Sequence, residues 1–341
     1  MRFPLDALTG VRFWAALMVL LFHFAGPGVA THNYLINAAI LRGSLGVDLF
    51  FVLSGYIIQH VYGETFAHCV RGCDYRKFLS FRVARMYPVH LFTLGLMFVL
   101  YFMAVHLFHK TPPDEASYRL PAIIHNLLMT HAWFGIGSPN IPAWSISAEW
   151  FMYLLYPLLA LSLFRLNLWC EWLLAGASLL AVYALADLHP LLHILPEFTF
   201  GATLYQLDRR LAFTRRLSPW SGWAVLACII ALVNLHIDAQ GAYVPLFGLL
   251  ILALTPSTDR LGQWLSRPVC VHLGEMSYSL YMVHSFIWSV SKNLCRLLAP
   301  GLDIQDNMVV GSAIAASLLA SWLVYRLIEI PGRRFIRHWA D

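Results

Sequence analysis

The sequence predicts an all-α protein, a polytopic membrane bundle of about ten transmembrane helices, and three observations support this class. Hydrophobic residues make up 59% of the 341 residues and charged residues only 12%, whereas an ordinary soluble domain has roughly 25% charged residues. Apolar runs recur from end to end, and lysine and arginine concentrate in alternate loops between them. No stretch is polar enough to form a second, soluble domain, so we expect one membrane domain over residues 1–341.

A helix needs about 20 apolar residues to cross the hydrocarbon core of a bilayer, and this requirement selects ten segments. The predicted spans are Leu8–Pro27, Ser44–Tyr62, Tyr87–Phe108, Ala148–Phe164, Leu168–Leu188, Leu191–Leu207, Pro219–Ile237, Tyr243–Leu254, Val271–Cys295 and Met308–Tyr325.

The distribution of positive charge predicts the orientation. With the N-terminus in the cytoplasm, eighteen of the 23 lysine and arginine residues fall on the inner side, so both termini are expected to be cytoplasmic. The apolar segment Pro121–Gly137 would invert every later loop if it crossed the membrane. We therefore predict a re-entrant or interfacial helix on the outer side, covered by other parts of the protein, beside a cavity that opens outward.

The cysteines and the net charge exclude two further classes of site. The six cysteines are scattered, and His68, Cys69 and Cys73 form no C-x-x-C pair, so no metal site is predicted. The net charge of +5 comes largely from inner-loop arginines. This charge indicates contact with anionic membrane lipid and no nucleic acid partner.

Ionisable residues inside the predicted spans are the main functional signal, because each costs at least about 2.5 kcal/mol at mid-membrane unless it is paired or faces a cavity. In the first span, Arg12 and His23 are eleven residues apart, which corresponds to about 16 Å of helical rise on nearly one face. A membrane-end anchor and a packing histidine are the alternative interpretation.

The second span combines small residues with one carboxylate. Gly46, Ser54 and Gly55 allow another helix to approach closely. Asp48, near the outer end, could orient a histidine or an acceptor hydroxyl. The alternative for Asp48 is a carboxylate exposed at the membrane interface.

Arg82 and Arg85 lie in the predicted inner loop before the third span. At a spacing of i and i+3 they would point the same way on a helix and offer two guanidinium groups to phosphate oxygens. The alternative is that they only set the topology.

The outer end of the fourth span contains Trp144, Ser147, Glu149 and Tyr153. Ser147 is predicted to cap the helix, with Glu149 in its first turn, where the helix dipole favours a carboxylate. Aromatic rings around a carboxylate are also typical of a sugar-binding surface. The ninth span adds Tyr278 and a second buried histidine, His284.

These elements, in this order, resemble the acyltransferase-3 family of integral membrane O-acyltransferases, and the resemblance spans the whole chain. The matching motifs are R-x10-H (Arg12, His23), G-x-D-x-F-F-x-x-S-G (Gly46, Asp48, Ser54, Gly55), R-x-x-R (Arg82, Arg85), W-S-x-S-x-E (Trp144, Ser145, Ser147, Glu149), S-Y-S-L-Y with His284, and a terminal Glu329 and Pro331.

The resemblance implies ten core helices, a cytosolic acyl-CoA donor and acylation at the far membrane face, with no permanently bound cofactor. It assigns His23 as base or transient acyl acceptor, with Glu149 and Asp48 orienting the acceptor or the histidine and His284 as a second candidate. Arg82 and Arg85 are expected to bind the phosphates of the donor, and Arg12 is expected at the donor site or channel mouth. The residues expected to contact the acceptor are Trp144, Ser147, Tyr153 and Tyr278.

The expected reaction moves an acetyl or short acyl group onto a sugar hydroxyl of an extracytoplasmic or lipid-linked glycan, such as exopolysaccharide or O-antigen, at the bacterial inner membrane. Some relatives append an extracytoplasmic hydrolase-like domain. This chain resembles the stand-alone form, which would act directly or through a separate extracytoplasmic partner. The competing class is a proton-coupled transporter, which also buries ionisable residues, although no internal repeat is detected.

Overall fold

The computed structural model describes residues 5–25, 40–107, 109, 114–235, 240–298, 301, 303–304 and 306–338. These residues form helices and short turns, with no strand among them. The α-helices are α1 Asp6–Ala25, α2 Leu45–Phe66, α3 Gly72–His106, α4 Leu120–Leu127, α5 Ala143–Arg165, α6 Leu168–Leu185, α7 Pro190–Leu211, α8 Ser221–Asn234, α9 Tyr243–Leu254, α10 Arg260–Leu265, α11 Pro268–Glu275, α12 Ser277–Leu298, α13 Asn307–Val324 and α14 Ile330–His338.

The predicted all-α membrane bundle is confirmed. Within the described ranges, six helices are long and apolar enough to cross a membrane. The number of ten spans and the cytoplasmic termini stay predictions. The predicted span ends at Pro27, Phe108 and Ile237 lie outside the described residues.

Two local predictions were wrong. The third span was predicted to begin at Tyr87, but its helix, α3, begins at Gly72 and has 35 residues, with Pro88 inside it. Arg82 and Arg85 therefore lie on this long helix and not in a separate loop. Proline removes one backbone N–H, and membrane helices tolerate this where neighbouring protein satisfies the freed carbonyl. Ser147 cannot cap α5, because that helix begins four residues earlier, at Ala143.

The chain divides into two compact units, each built from two stretches of sequence. Unit 1 comprises Met1–Arg71 and Leu155–Ser277, and unit 2 comprises Gly72–Leu154 and Tyr278–Asp341. The single domain over residues 1–341 stays a prediction.

Unit 1 is organised around the crossing of α2 and α7. A β-carbon at Gly55 would overlap the carbonyl oxygen of Phe198, and one at Gly201 would overlap the carbonyl oxygen of Val52. The two backbones are therefore in direct contact, as the small residues of the second span predicted. Gly46 packs in the same way against the backbone of Ala15 in α1.

Unit 2 contains the segment that was predicted to be re-entrant. It forms the eight-residue helix α4 and a 3₁₀ turn, His131–Phe134. An eight-residue helix rises about 12 Å, well short of a hydrocarbon core of about 30 Å. At the C-terminal end of the unit, a π-helical turn, Tyr325–Glu329, joins α13 to α14.

Candidate active site

In unit 1, Arg12 and His23 lie on the same helix, α1, as their spacing predicted. The ring nitrogen Nδ1 of the half-buried His23 lies 2.8 Å from the carbonyl oxygen of Val19. A carbonyl oxygen only accepts, so Nδ1 carries the proton and Nε2 is the nitrogen that can take one up. The guanidinium carbon of Arg12 is 5.9 Å from the ring centre of Phe50 in α2.

Asp48 contacts a histidine, and that histidine is one the sequence analysis did not name. His193 Nε2, in α7, donates to Asp48 Oδ1 over 2.7 Å and lies 3.5 Å from Glu197 Oε1. The side chains of Asp48 and Glu197 are fully buried, and that of His193 is 13% exposed. We call these three residues the acidic cluster. The alternative of Asp48 as an interface-exposed carboxylate is wrong, because none of its surface is exposed.

In unit 2, Arg82 lies between two aromatic rings. Its guanidinium carbon is 5.8 Å from the ring centre of Phe78 and 5.7 Å from that of Tyr153. The Tyr153 hydroxyl donates to Glu149 Oε1 over 2.5 Å. The helical course of α3 therefore carries Arg82 to the same place as Glu149 and Tyr153 of α5, although the sequence analysis placed these residues in an inner loop and at an outer helix end.

Arg85 extends this group toward the C-terminal helices. It interacts electrostatically with Tyr278 of α12 and Arg333 of α14. Tyr278 donates its hydroxyl to the carbonyl oxygen of Met86 over 2.6 Å. The fully buried Glu329 accepts from Ser279 Oγ over 2.6 Å and pairs with Arg333 over 3.3 Å.

We call the residues Arg82, Arg85, Glu149, Tyr153, Tyr278, Glu329 and Arg333 the arginine cluster. It contains three guanidinium groups and two carboxylates, so its balance of charge is positive. One buried nitrogen, Arg85 Nη2, has no hydrogen-bond acceptor among the described residues. A buried guanidinium donor of this kind is suited to an anion.

Ser147 has a structural task in unit 2. Its hydroxyl accepts from the backbone N–H of Ala132 over 3.1 Å, and its carbonyl oxygen accepts from Trp133 Nε1 over 2.7 Å. These bonds fasten the His131–Phe134 turn to α5. Contact with an acceptor stays a prediction for Ser147 and for the half-buried Trp144.

His284 is fully buried in α12, with its ring centre 5.9 Å from that of Tyr281. The Tyr281 hydroxyl is 2.8 Å from Ser145 Oγ.

Two other buried polar residues of unit 2 are Asn140 and His131. Asn140 donates to Thr93 Oγ1 and to the carbonyl oxygen of Met282. Burial and the neighbouring His90 lower the pKa of His131 to about 4, so that this imidazole is neutral at physiological pH.

A cavity of about 260 Å³ lies between α3 and α12, lined among others by Leu100, Met103 and Arg296. Leu100 is eighteen residues beyond Arg82 along one continuous helix, a rise of about 27 Å. This cavity is therefore separate from the arginine cluster.

Sequence reasoning missed His193, Glu197 and Arg333. His193 and Glu197 carried a usable signal, since both are ionisable, both lie inside the predicted sixth span and they are separated by one helical turn. Their pairing with Asp48 could not be read from the sequence, because the partners are 145 positions apart.

Comparison with known proteins gives a consistent set of relatives. A family model described as an acyltransferase domain, of the acyltransferase-3 type, matches residues 5–326. The acyltransferase MdmB of Streptomyces mycarofaciens is 25% identical across 97% of this chain and 92% of that protein. Protein 2 in the picA locus of Rhizobium radiobacter is 31% identical across 42% of this chain and 75% of that protein.

The O-acetyltransferase OatA of Staphylococcus aureus (strain NCTC 8325 / PS 47) is 26% identical across 97% of this chain, which spans 57% of OatA. No solved structure matches the chain.

Proposed function

Because this chain belongs to the acyltransferase-3 family and is a multi-pass membrane O-acyltransferase, we propose that it moves an acetyl or short acyl group from cytosolic acyl-CoA to a sugar hydroxyl. The observation that carries the proposal is the arginine cluster inside unit 2. The acceptor that we propose is an extracytoplasmic or lipid-linked glycan, and the membrane is the bacterial inner membrane.

The arginine cluster supports the choice of donor. Acyl-CoA carries phosphate groups, and Arg82 and Arg85 are about one helical turn apart on α3, a spacing that would let both guanidinium groups donate to one phosphate or to neighbouring ones. Arg85 Nη2 is buried without an acceptor in the described part of the chain. An anion bound there would satisfy this nitrogen and offset the excess of positive charge.

His23 is the proposed base. Since its Nδ1 donates to the carbonyl oxygen of Val19, its Nε2 can accept the proton of the acceptor hydroxyl. The hydroxyl oxygen then forms a bond to the thioester carbonyl carbon, and the bond from that carbon to sulfur breaks. The sulfur leaves as thiolate and takes up a proton, so the products are the sugar ester and free CoA.

The remaining residues have supporting roles in this proposal. Glu149 and Tyr153 form one hydrogen-bonded pair, which can orient an acceptor hydroxyl. Arg12 stands at the donor site or channel mouth, and His284 is the second candidate base. Asp48 holds the imidazole of His193.

The direct test uses the purified chain in lipid nanodiscs with acetyl-CoA and a panel of glycans. We expect release of CoA thiol that depends on an acceptor, together with an ester-bound acetyl group on the glycan, detected by mass spectrometry. His23→Gln is the matched inactive control. If intact acetyl-CoA persists with every acceptor while the protein moves a substrate or protons across the bilayer, the chain is a transporter and the proposal is wrong.

A second experiment addresses the acceptor in cells. Surface glycans from deletion and complemented cells are compared for ester groups, with the His23→Gln chain as a further complementation. We expect the ester to be lost in the deletion strain and restored only by the active chain. Identical glycans in all three strains would contradict an envelope acceptor.

The predicted orientation can be tested with reporter fusions. Fusions after Asp341 and within the loop at Asp114 should report opposite sides of the membrane, because the positive-charge bias places the first inside and the second outside. Signals from the same side would contradict the ten-span topology.

A further inference from the structure

Apart from the contact of Asp48 with His193, the transfer reaction proposed above does not use the acidic cluster of unit 1. We propose that Asp48, His193 and Glu197 form a binding site for one divalent transition-metal ion, with Zn²⁺ as the best fit. This inference goes beyond the acyltransferase function and does not depend on it.

The first argument is that both carboxylates converge on the same ring atom. His193 Nε2 lies 2.7 Å from Asp48 Oδ1 and 3.5 Å from Glu197 Oε1. A ring nitrogen carries one proton, so it can make one linear hydrogen bond, and Asp48 receives it. Glu197 is fully buried, and neither of its carboxylate oxygens has a hydrogen-bond donor among the described residues. A metal ion at the point of convergence would bind all three side chains at once.

The second argument is charge. When both buried carboxylates are ionised they outnumber the one imidazole, and a buried charge without compensation is destabilising. With the imidazole neutral, a dication makes the cluster electrically neutral. It does so while each carboxylate keeps its ionised, metal-binding form.

The third argument is the set of donor atoms and their spacing. The three ligand atoms lie within 4.8 Å of one another. Zinc bonds of about 2.0–2.2 Å place tetrahedral ligand atoms about 3.3–3.5 Å apart. The contact between His193 and Glu197 already has this spacing. The contact between His193 and Asp48 would widen by less than about 1 Å when the metal replaces the shared proton.

The surrounding structure can hold such a site. His193 and Glu197 are one helical turn apart on α7, a spacing at which two ligands share one helix face. The backbone contact between α2 and α7 at Gly55 and Gly201 fixes Asp48 beside them. Three protein ligands leave a fourth position open for water, and the partly exposed edge of His193 offers a route of entry.

The test is the metal content of the purified full chain, produced with a tag that contains no histidine and measured by inductively coupled plasma mass spectrometry. We expect about one zinc ion per chain, lost to a membrane-permeant chelator and regained on addition of Zn²⁺. Because a metal that binds only the folded state stabilises it, chelation should lower the thermal unfolding midpoint and Zn²⁺ should restore it. This part of the test needs no variant and no acyl transfer.

Asp48→Asn and Glu197→Gln keep the size of each side chain and remove its charge, so each should weaken Zn²⁺ binding at least about tenfold. The matched control is Glu171→Gln, which removes another fully buried carboxylate of unit 1, one that pairs with Arg210 over 3.0 Å. The control should keep its zinc.

A wild-type chain without stoichiometric metal, whose unfolding midpoint ignores both chelator and Zn²⁺, would overturn the proposal. Zinc that persists in both cluster variants would overturn it as well. Stoichiometric Mn²⁺ in place of Zn²⁺, lost in both cluster variants, would support the site and contradict the choice of metal. Since none of these results involves turnover, they are independent of whether the acyltransferase proposal stands.

Discussion

The carboxylates of the acidic cluster in unit 1 converge on one imidazole, whereas those of the arginine cluster in unit 2 lie among guanidinium groups. In unit 1, the two carboxylates of Asp48 and Glu197 face one imidazole, that of His193, which can carry at most one positive charge. In unit 2, Arg82, Arg85 and Arg333 outnumber Glu149 and Glu329. Each cluster leaves at least one buried polar atom without a hydrogen-bond partner among the described residues. In the acidic cluster these atoms are the acceptor oxygens of Glu197, and in the arginine cluster they include the donor nitrogen Arg85 Nη2.

The comparison shows that charge balance distinguishes two buried clusters in one chain. A cluster with an excess of carboxylates is suited to a cation, and a cluster with an excess of arginine is suited to phosphate. The proposals assign donor binding to unit 2 and assign the catalytic base and the metal to unit 1. Variants should therefore separate these properties.

The largest separation is expected at His23. His23→Gln keeps a hydrogen-bonding side chain of similar size that cannot accept a proton, so acyl transfer should fall about a hundred- to ten-thousand-fold. The affinity for CoA, which the proposal assigns to unit 2, should not change. Initial rates and CoA binding to the same nanodisc preparation measure both quantities.

The matched control for this prediction is His60→Gln, at another half-buried histidine of unit 1. It should retain turnover. A His23→Gln chain with most of its activity would contradict the assignment and make His284 the leading base.

A smaller effect is expected from the double variant Arg82→Ala, Arg85→Ala. Charged hydrogen bonds contribute about 1.5–3 kcal/mol each, so the affinity for CoA should fall at least about tenfold. Lysine at both positions should restore only part of it, because an ammonium group lacks the planar fork. Arg215→Ala, Arg216→Ala removes two exposed arginines as the control. Equal CoA affinity in both double variants would mean that Arg82 and Arg85 do not bind the donor and only set the membrane topology.

Gly201→Ala tests whether unit 1 depends on its helix crossing. The added β-carbon would overlap the carbonyl oxygen of Val52, and overpacking of this kind costs about 1–3 kcal/mol. The thermal unfolding midpoint in detergent should fall. Gly176→Ala, where a β-carbon meets no atom, should leave it unchanged or raise it. A Gly201→Ala chain as stable as Gly176→Ala would mean that the two helices can separate without loss.

The smallest effect is expected from Tyr153→Phe, which removes the hydrogen bond to Glu149. A single hydrogen bond contributes about 0.5–1.5 kcal/mol, so kcat/KM should fall by about tenfold or less. Tyr75→Phe removes another tyrosine hydrogen bond of unit 2, from the Tyr75 hydroxyl to the carbonyl oxygen of Leu154, in which no member of the arginine cluster takes part. Identical kinetics for the two variants would exclude a role for the pair of Tyr153 and Glu149.

The fold class could be predicted because it depends on local composition. The eighth span matches its helix at both ends, since Tyr243–Leu254 is an unbroken apolar run between Gln240 and Thr255. The start of α3 was not predictable in this way, because the segment before Pro88 contains Arg76, Lys77, Arg82 and Arg85 and is too charged to be selected as a membrane span. Such a segment looks like a loop until its neighbours are known.

The candidate site was predictable in its parts and not in its groupings. Asp48 and Glu149 could be identified as candidates because a carboxylate in an apolar span is costly unless it is paired or faces a cavity. Their partners could not be inferred, because hydrogen bonds such as that between His193 and Asp48 connect distant parts of the sequence. Gly46 and Gly55 indicated close helix contacts without identifying which helices make them.

The π-helical turn at Tyr325–Glu329 determines the direction in which the side chains of the last helix point. Each residue of an α-helix advances the side-chain direction by about 100°, so deleting one residue in this turn would rotate all that follows by that angle. Glu329 would lose its contact with Ser279, and the basic side chains of α14, which include Arg333, would face a different direction. A gene change that removes one residue from this turn would therefore separate Glu329 and Arg333 from their present positions in the arginine cluster.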